Sequence, residues 1–84
     1  MKYQVVIPKD VVREIETLPL ESERKVYKHL LDLETNPHPQ GSKKLKGRNS
    51  WRIRVGAYRI LYTILDADKI ILITKVGHRK EVYR

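Results

Sequence analysis

Residues 51–62 read WRIRVGAYRILY, and this pattern is the strongest structural signal in the chain. Apolar and basic side chains alternate in its first half, as in a β-strand, so Arg52 and Arg54 share one face. The Gly-Ala pair at positions 56–57 predicts a two-residue hairpin turn, because glycine supplies the positive φ that such a turn needs. The stretch is therefore predicted to be a β-hairpin with one apolar face and one basic face.

A two-residue turn places Arg54 directly opposite Arg59, with their Cβ atoms roughly 5 Å apart. Like charges directly opposite each other destabilise a sheet, and a sequence shaped by stability alone would avoid them. We interpret the face that carries Arg52, Arg54 and Arg59 as a surface that holds a polyanion. An ordinary solvated sheet face is the alternative interpretation, and the arginines by themselves do not exclude it.

The composition indicates one small, basic domain. The chain has 84 residues, enough for one core, so residues 1–84 are predicted to form a single domain. It contains no cysteine, which excludes disulfides and thiolate metal sites. The formal net charge is +8, and such an excess on so small a domain favours a nucleic acid or an acidic protein as the partner.

Neither a membrane segment nor a metal site is indicated. No apolar run approaches the roughly 20 residues that a membrane span requires. The N-terminal residues MKYQVVIP lack the long apolar segment of a signal peptide and indicate a strand, so we expect a cytoplasmic protein. The histidines His29, His38 and His78 fall on a helix, a proline-rich loop and the C-terminal segment without ligand spacing, and we expect no metal and no cofactor.

The periodicity of the whole chain predicts elements in the order β-α-α-β-β-β. Strands are predicted at residues 2–7, 51–55, 58–65 and 69–76, and helices at residues 9–18 and about 19–34. This order predicts an α+β domain: an antiparallel meander sheet with a helical hairpin packed on one face. The last strand is apolar on both faces at residues 70–73, so it is expected inside the sheet.

The second hairpin can adopt two registers, which differ in where Lys75 lies. A two-residue loop places Lys75 on the core face, which is costly for an ammonium group. A three-residue loop at positions 66–68 places Lys75 beside Arg59 and turns Gly77 and Arg79 toward the same face, and we expect this register. The open sheet face then gathers Arg52, Arg54, Arg59, Lys75 and Arg79, with Lys44 and Lys46 at its rim.

This set of residues is suited to cleaving RNA without a metal. The 2′-hydroxyl of RNA is an internal nucleophile, so a protein need only align it, neutralise the charge that develops on the phosphate and manage protons. Guanidinium groups bind phosphate oxygens bidentately. Tyr83 is a candidate to orient the phosphate or stack on a base, and His78 is the one side chain of the tail that titrates near neutral pH.

Four segments in series resemble the RelE/ParE toxin superfamily of bacterial toxin–antitoxin systems. They are LETNP at 33–37, KKLKG at 43–47, WRIRVGAYRILY at 51–62 and VGHRKEVY at 76–83, and together they cover nearly the whole chain. The resemblance implies the α+β fold described above. For the RelE branch it also implies cleavage of messenger RNA in the ribosomal A site and neutralisation by a cognate antitoxin, which we expect to be acidic.

The resemblance also implies roles for individual residues. Arg59 matches a position that stabilises the phosphate, Arg79 one proposed to protonate the leaving group, and Tyr83 the family's final tyrosine. Arg52 and Arg54 match the two alternating basic positions of the catalytic set. Lys44 and Lys46 match family contacts to the RNA or the ribosome. Apart from the resemblance, we also expect such contacts from the basic residues Lys43, Arg48 and Lys75.

One position departs from the family pattern. Well-studied RelE toxins carry lysine, the proposed general base, where this chain has Arg52. Arginine, with a pKa above about 12, stabilises charge but does not act as a base. His78 is a substitute candidate, although simple alternation turns it away from Arg79.

We therefore predict a ribosome-dependent endoribonuclease toxin. Two alternatives stay open: a ParE-like toxin that poisons DNA gyrase, and a catalytically degenerate toxin retained for antitoxin binding.

Overall fold

The computed structural model describes residues 2–45 and 49–78, in which two helices pack on one sheet. The elements are β1 (Gln4–Val6), α1 (Lys9–Glu16), α2 (Leu20–Asp32), β2 (Lys43–Lys44), β3 (Ser50–Val55), β4 (Tyr58–Leu65) and β5 (Ile70–His78). Every predicted helix and strand is present, and the α+β class is confirmed. The short strand β2 was not predicted, because two residues are too few to show an alternating pattern.

The sheet has the strand order β1-β5-β4-β3-β2 and is mixed rather than wholly antiparallel. β3, β4 and β5 form the predicted antiparallel meander, whereas β1 pairs with β5 in parallel. The expectation of a purely antiparallel sheet was wrong because β1 adds beyond β5, at the far side of the meander. β5 lies between β1 and β4, which confirms its predicted position inside the sheet.

The core lies between the helices and one face of the sheet. The buried apolar residues are Val11, Ile15, Val26, Leu30, Leu33, Ile53, Val55, Ile60, Tyr62, Ile64, Ile71, Ile73 and Val76. Leu31 near the end of α2 is 65% exposed, whereas Leu33 just after the helix is fully buried. No helix in the described ranges is both long and apolar enough to span a bilayer.

The first hairpin has the predicted two-residue turn. Val55 pairs with Tyr58 across Gly56-Ala57, and Gly56 has a φ of 60°. A φ in this left-handed region is accessible to glycine without steric cost. The register therefore places Arg54 directly opposite Arg59, as expected.

The second hairpin follows neither of the two simple registers. Its turn spans residues 66–69, and Leu65 pairs with Ile70. If this register continued along both strands, Lys75 would lie opposite the buried Ile60. Instead, the register shifts by one residue between Leu61 and Tyr62. Such a β-bulge inserts one extra residue, and it moves Lys75 to the open face.

The predicted pairing of Lys75 with Arg59 is therefore wrong, although its face is correct. Lys75 pairs with Leu61, and Gly77 pairs with Arg59. The Thr74 hydroxyl donates a hydrogen bond to the Leu61 carbonyl at 3.1 Å, which supports the bulge. Lys75 was predicted on the open face because burying its ammonium group in the core is costly. The bulge meets this requirement by a different register.

A polar contact ties the turn at residues 66–69 to the start of β1. The Tyr3 hydroxyl donates to Asp66 Oδ1 at 2.7 Å, and Asn49 Nδ2 lies 3.4 Å from Asp66 Oδ2. The hydrogen bond from Tyr3 is the main cause that lowers the pKa of Asp66 below its usual value, and Asn49 and Lys69 act in the same direction.

Replacing Tyr3 with phenylalanine should remove a pH-dependent part of the stability. A carboxyl whose pKa is lowered by folding stabilises the protein above its unfolded-state pKa of about 3.9, and this contribution is lost as the pH falls through the folded-state pKa. The melting temperatures of wild type and Tyr3→Phe should therefore differ at pH 6 and converge in acid. Thermal unfolding across this pH range measures the effect, and a constant difference would contradict it.

Candidate functional site

The arginine face is the open side of the sheet, opposite the helices, and it carries Arg52, Arg54 and Arg59. Side chains in register share a face, so the pairings define two rows across the strands. One row contains Arg54, Arg59 and Gly77. The other contains Lys43, Arg52, Leu61 and Lys75. The strands thus bring basic residues from separate parts of the chain onto one surface.

A pocket of about 300 Å³ lies on this face. Its lining residues are Gly41, Lys43, Arg52, Arg54 and Arg59. These described lining residues include four cationic side chains and no carboxylate, so the pocket attracts anions. Arginine is the residue best suited to bidentate contacts with phosphate oxygens, and three of the four are arginines.

The wall of the pocket at Gly41 belongs to the loop between α2 and β2, and the core anchors this loop. The buried Tyr62 hydroxyl donates to the Pro37 carbonyl at 2.9 Å, and burial raises the pKa of this phenol. The Ser42 amide donates to the Pro39 carbonyl at 3.0 Å, and the His38 ring packs edge-on against Trp51 with centroids 4.4 Å apart. The wall is therefore fixed relative to the strands that carry the arginines.

The two lysines of β2 lie on opposite sides of the sheet. Lys43 pairs with Arg52 and lines the pocket. Lys44 pairs with Trp51, which packs against the core, so Lys44 is on the helix side of the edge strand. The sequence analysis placed Lys44 at the rim of the arginine face, and the structure gives that position to Lys43.

His78 and Lys75 occupy the end of β5 next to α1. His78 pairs with Tyr58 on the helix side of the sheet, and their rings make an edge contact with centroids 5.9 Å apart. This position separates His78 from the arginine face and gives no support to its candidacy as a base. Lys75 lies on the arginine face by register, and its ammonium group forms an ion pair with Glu14 of α1 at 2.9 Å.

Four predicted site residues lie outside the described part of the chain: Lys46, Arg48, Arg79 and Tyr83. Their roles stay predictions. Within residues 2–45 and 49–78, no three histidine, aspartate or glutamate side chains come together as a potential metal site.

Two residues of this region, Gly41 and Glu14, were not predicted from the sequence. Gly41 was assigned only to a loop, and its place in the pocket depends on the pairing of β2, which has no sequence signal. Glu14 precedes the buried Ile15 on α1 and looks like an ordinary boundary residue of an amphipathic helix. Only the packing of α1 beside β5 shows what its carboxylate contacts.

The fold and the arginine face define a small α+β domain with a basic pocket, and similar proteins identify its family. Residues 8–83 match the family model described as the ParE toxin of type II toxin–antitoxin system, parDE. The chain therefore belongs to this family of the RelE/ParE toxin superfamily.

Similar proteins identify the RelE type of toxin within the superfamily. The putative toxin RelE1 of Methanocaldococcus jannaschii is 38% identical over 89 aligned residues, which cover 100% of this chain and 98% of the relative. The archaeal RelE-RelB complex from Pyrococcus horikoshii contains a chain that is 34% identical, with a TM-score of 0.85 and coverage of 94% of this chain and 97% of that one.

The toxin-antitoxin complex RelBE2 of Mycobacterium tuberculosis contains a third similar chain. It is 28% identical with a TM-score of 0.81, and the match covers 94% of this chain and 100% of that one.

Proposed function

We propose that this RelE-type toxin is a ribosome-dependent endoribonuclease that cleaves messenger RNA in the A site and thereby inhibits translation. The observation that carries the proposal is the opposed pair Arg54 and Arg59, which with Arg52 and Lys43 lines one pocket. Two guanidinium groups directly opposite each other repel. A phosphate between them turns this repulsion into attraction, so the site is complementary to the scissile phosphate.

The chemistry needs little from the protein beyond positioning and charge. The 2′-oxygen of RNA forms a bond to phosphorus while the bond to the 5′-oxygen breaks, which leaves a 2′,3′-cyclic phosphate and a 5′-hydroxyl. The attacking hydroxyl gives its proton to water, and the leaving 5′-oxygen gains one. Arg54 and Arg59 stabilise the negative charge on the non-bridging oxygens, and this charge is largest in the transition state. The leaving oxygen would take its proton from Arg79.

We expect dependence on the ribosome because, among the residues that the structure describes, the pocket lining offers no carboxylate or imidazole as a general base. Alignment of the 2′-hydroxyl with the leaving oxygen must then provide much of the rate, and effective concentrations gained by alignment are large. A ribosome that holds the messenger RNA in the A site supplies this alignment, and free RNA should be a poor substrate.

The proposal includes a cognate antitoxin and a cytoplasmic location. Complexes of RelE with RelB are the subject of the structures from P. horikoshii and other organisms. The net charge of +8 suits an acidic segment that orders on binding across the arginine face. Such a partner should raise the melting temperature of the toxin and inhibit cleavage. Full nuclease activity in a stoichiometric complex would exclude this mode of neutralisation.

A primer-extension map of messenger RNA after induction of the toxin tests the function. Discrete cuts in register with codons, absent when ribosomes are depleted, support the proposal. Intact messenger RNA together with double-strand breaks in DNA would instead support a gyrase poison, which the ParE family model keeps as the second candidate. Rapid cleavage of naked RNA by the pure protein would contradict ribosome dependence.

A further inference from the structure

Among the described strands, the far half of β5 has a neighbour on one side only. β1 pairs with β5 from Gln4 opposite Ile70 to Val6 opposite Leu72, whereas β5 continues to His78. Beyond Leu72, β4 is the one described strand that pairs with it. The backbone groups on the other edge therefore need partners from elsewhere in the protein.

The Glu14 side chain of α1 occupies this edge. Its Oε1 accepts a hydrogen bond from the Val76 amide at 3.1 Å, and its Oε2 lies 2.9 Å from Lys75 Nζ. The carboxylate thus binds the backbone of β5 where a strand would otherwise pair. It also holds the side chain of the adjacent residue at the same edge.

This segment of β5 is the one that supports Arg59. Gly77, next to Val76, pairs with Arg59 in the row that also contains Arg54. The bulge at Leu61/Tyr62 separates this row from the regular pairing of β4 with β5 near the 66–69 turn. The register of that regular pairing therefore does not determine the register at Gly77. Repulsion between Arg54 and Arg59 opposes the pairing of β3 with β4 in this row, and β5 is the other strand that flanks Arg59.

We infer that Glu14 is a positioning residue for the arginine face. It touches no substrate and acts through Val76: the carboxylate holds the end of β5 in register, and β5 in turn holds Arg59 against Arg54. The hydrogen-bond acceptor is the essential feature of Glu14, and its charge serves chiefly to hold Lys75. The consequence for catalysis rests on the proposed function, whereas the consequence for β5 does not.

Hydrogen exchange tests the effect on β5 directly. In Glu14→Ala the Val76 amide should exchange at least about tenfold faster, because its acceptor is lost. Glu14→Gln keeps an acceptor oxygen and should restore most of the protection. Glu16→Ala, an exposed glutamate on the same helix, is the matched control and should leave the Val76 amide unchanged. Unchanged exchange in Glu14→Ala would overturn the inference.

The wild type provides a second test that needs no variant. The Val76 amide nitrogen should show an NMR scalar coupling across the hydrogen bond to the carboxyl carbon of Glu14, because the amide donates to that carboxylate. The absence of this coupling, when backbone hydrogen bonds of the sheet show theirs, would overturn the inference even if Glu14→Ala fails to fold.

Cleavage of ribosome-bound messenger RNA tests the catalytic consequence. Glu14→Ala should lower kcat roughly 10- to 100-fold, with a much smaller change in KM, because small misplacements of a catalytic group act on the chemical step. Glu14→Gln should recover most of the rate, and Glu16→Ala should match the wild type. Equal cleavage by wild type and Glu14→Ala would overturn the positioning role. No cleavage by the wild type would instead overturn the proposed function, and the exchange data would still decide whether Glu14 holds β5.

Discussion

Replacing Arg59 with alanine should lower the rate of messenger RNA cleavage roughly 100- to 1000-fold, the usual effect of removing one donor that stabilises developing charge. Arg59 lies on β4, the middle strand of the sheet, opposite Arg54 and one row from Arg52. Its half-buried side chain lines the pocket and is held between two strands. A guanidinium group fixed in this way loses little freedom when it binds the phosphate, so its contribution to the transition state is large.

Arg59→Ala should still fold, and this separates catalysis from folding. Arg59 is not part of the buried apolar core and lies opposite the like-charged Arg54 on the open face, so thermal unfolding should show a cooperative transition like that of the wild type. Arg59→Lys retains the charge but loses the bidentate fork, and its rate should lie between those of wild type and Arg59→Ala. Arg24→Ala on α2 removes the same charge away from the arginine face and is the control.

Single-turnover cleavage on programmed ribosomes measures these rates. A wild-type rate in Arg59→Ala, with normal folding, would remove the central role of the arginine pair.

The parts of the fold that the sequence predicted are those determined locally. The hairpin from Trp51 to Tyr62 follows from alternation and from a turn that needs a positive φ at Gly56, and both properties belong to neighbouring residues. The pairing of Arg54 with Arg59 follows from the turn length alone. The prediction of an anion site therefore needed no knowledge of the remaining chain.

The parts that the sequence did not predict depend on contacts between distant residues. The parallel pairing of β1 with β5 joins residues more than half the chain apart, and no local pattern specifies it. The bulge at Leu61/Tyr62 is a compromise between the turn at residues 66–69 and the need to keep Lys75 out of the core. Either requirement can be read from the sequence, but only their combination produces the observed register.

The same distinction applies to the site. Arg52, Arg54 and Arg59 were predicted because one hairpin carries all three. Lys43 was predicted to contact RNA or the ribosome, yet its position on the arginine face depends on β2, whose two residues pair with Arg52 and Trp51. Glu14 belongs to a helix that is far from the hairpin in sequence, and it reaches β5 only because β1 ends early.

Binding of single-stranded RNA to the isolated toxin should weaken steeply with salt. Each phosphate neutralised on a single strand contributes about −0.7 to the slope of log K against log salt concentration. The four cationic side chains of the pocket then predict a slope of about −2.8, or a roughly 50-fold loss of affinity from about 50 to about 200 mM salt. Fluorescence anisotropy with an oligonucleotide that carries 2′-deoxyribose at the scissile position measures this binding without cleavage.

The slope also tests whether the arginine face is the surface that binds. Arg54→Ala removes an exposed pocket cation and should reduce the magnitude of the slope by about 0.7, since one phosphate contact is lost. Arg24→Ala changes the net charge equally but lies on α2, and its slope should equal that of the wild type. Equal slopes for all three proteins would mean that the RNA binds elsewhere, and a solvated arginine face would then be the correct interpretation. A reduction confined to Arg54→Ala would assign the contact to the pocket, because overall charge is the same in both variants.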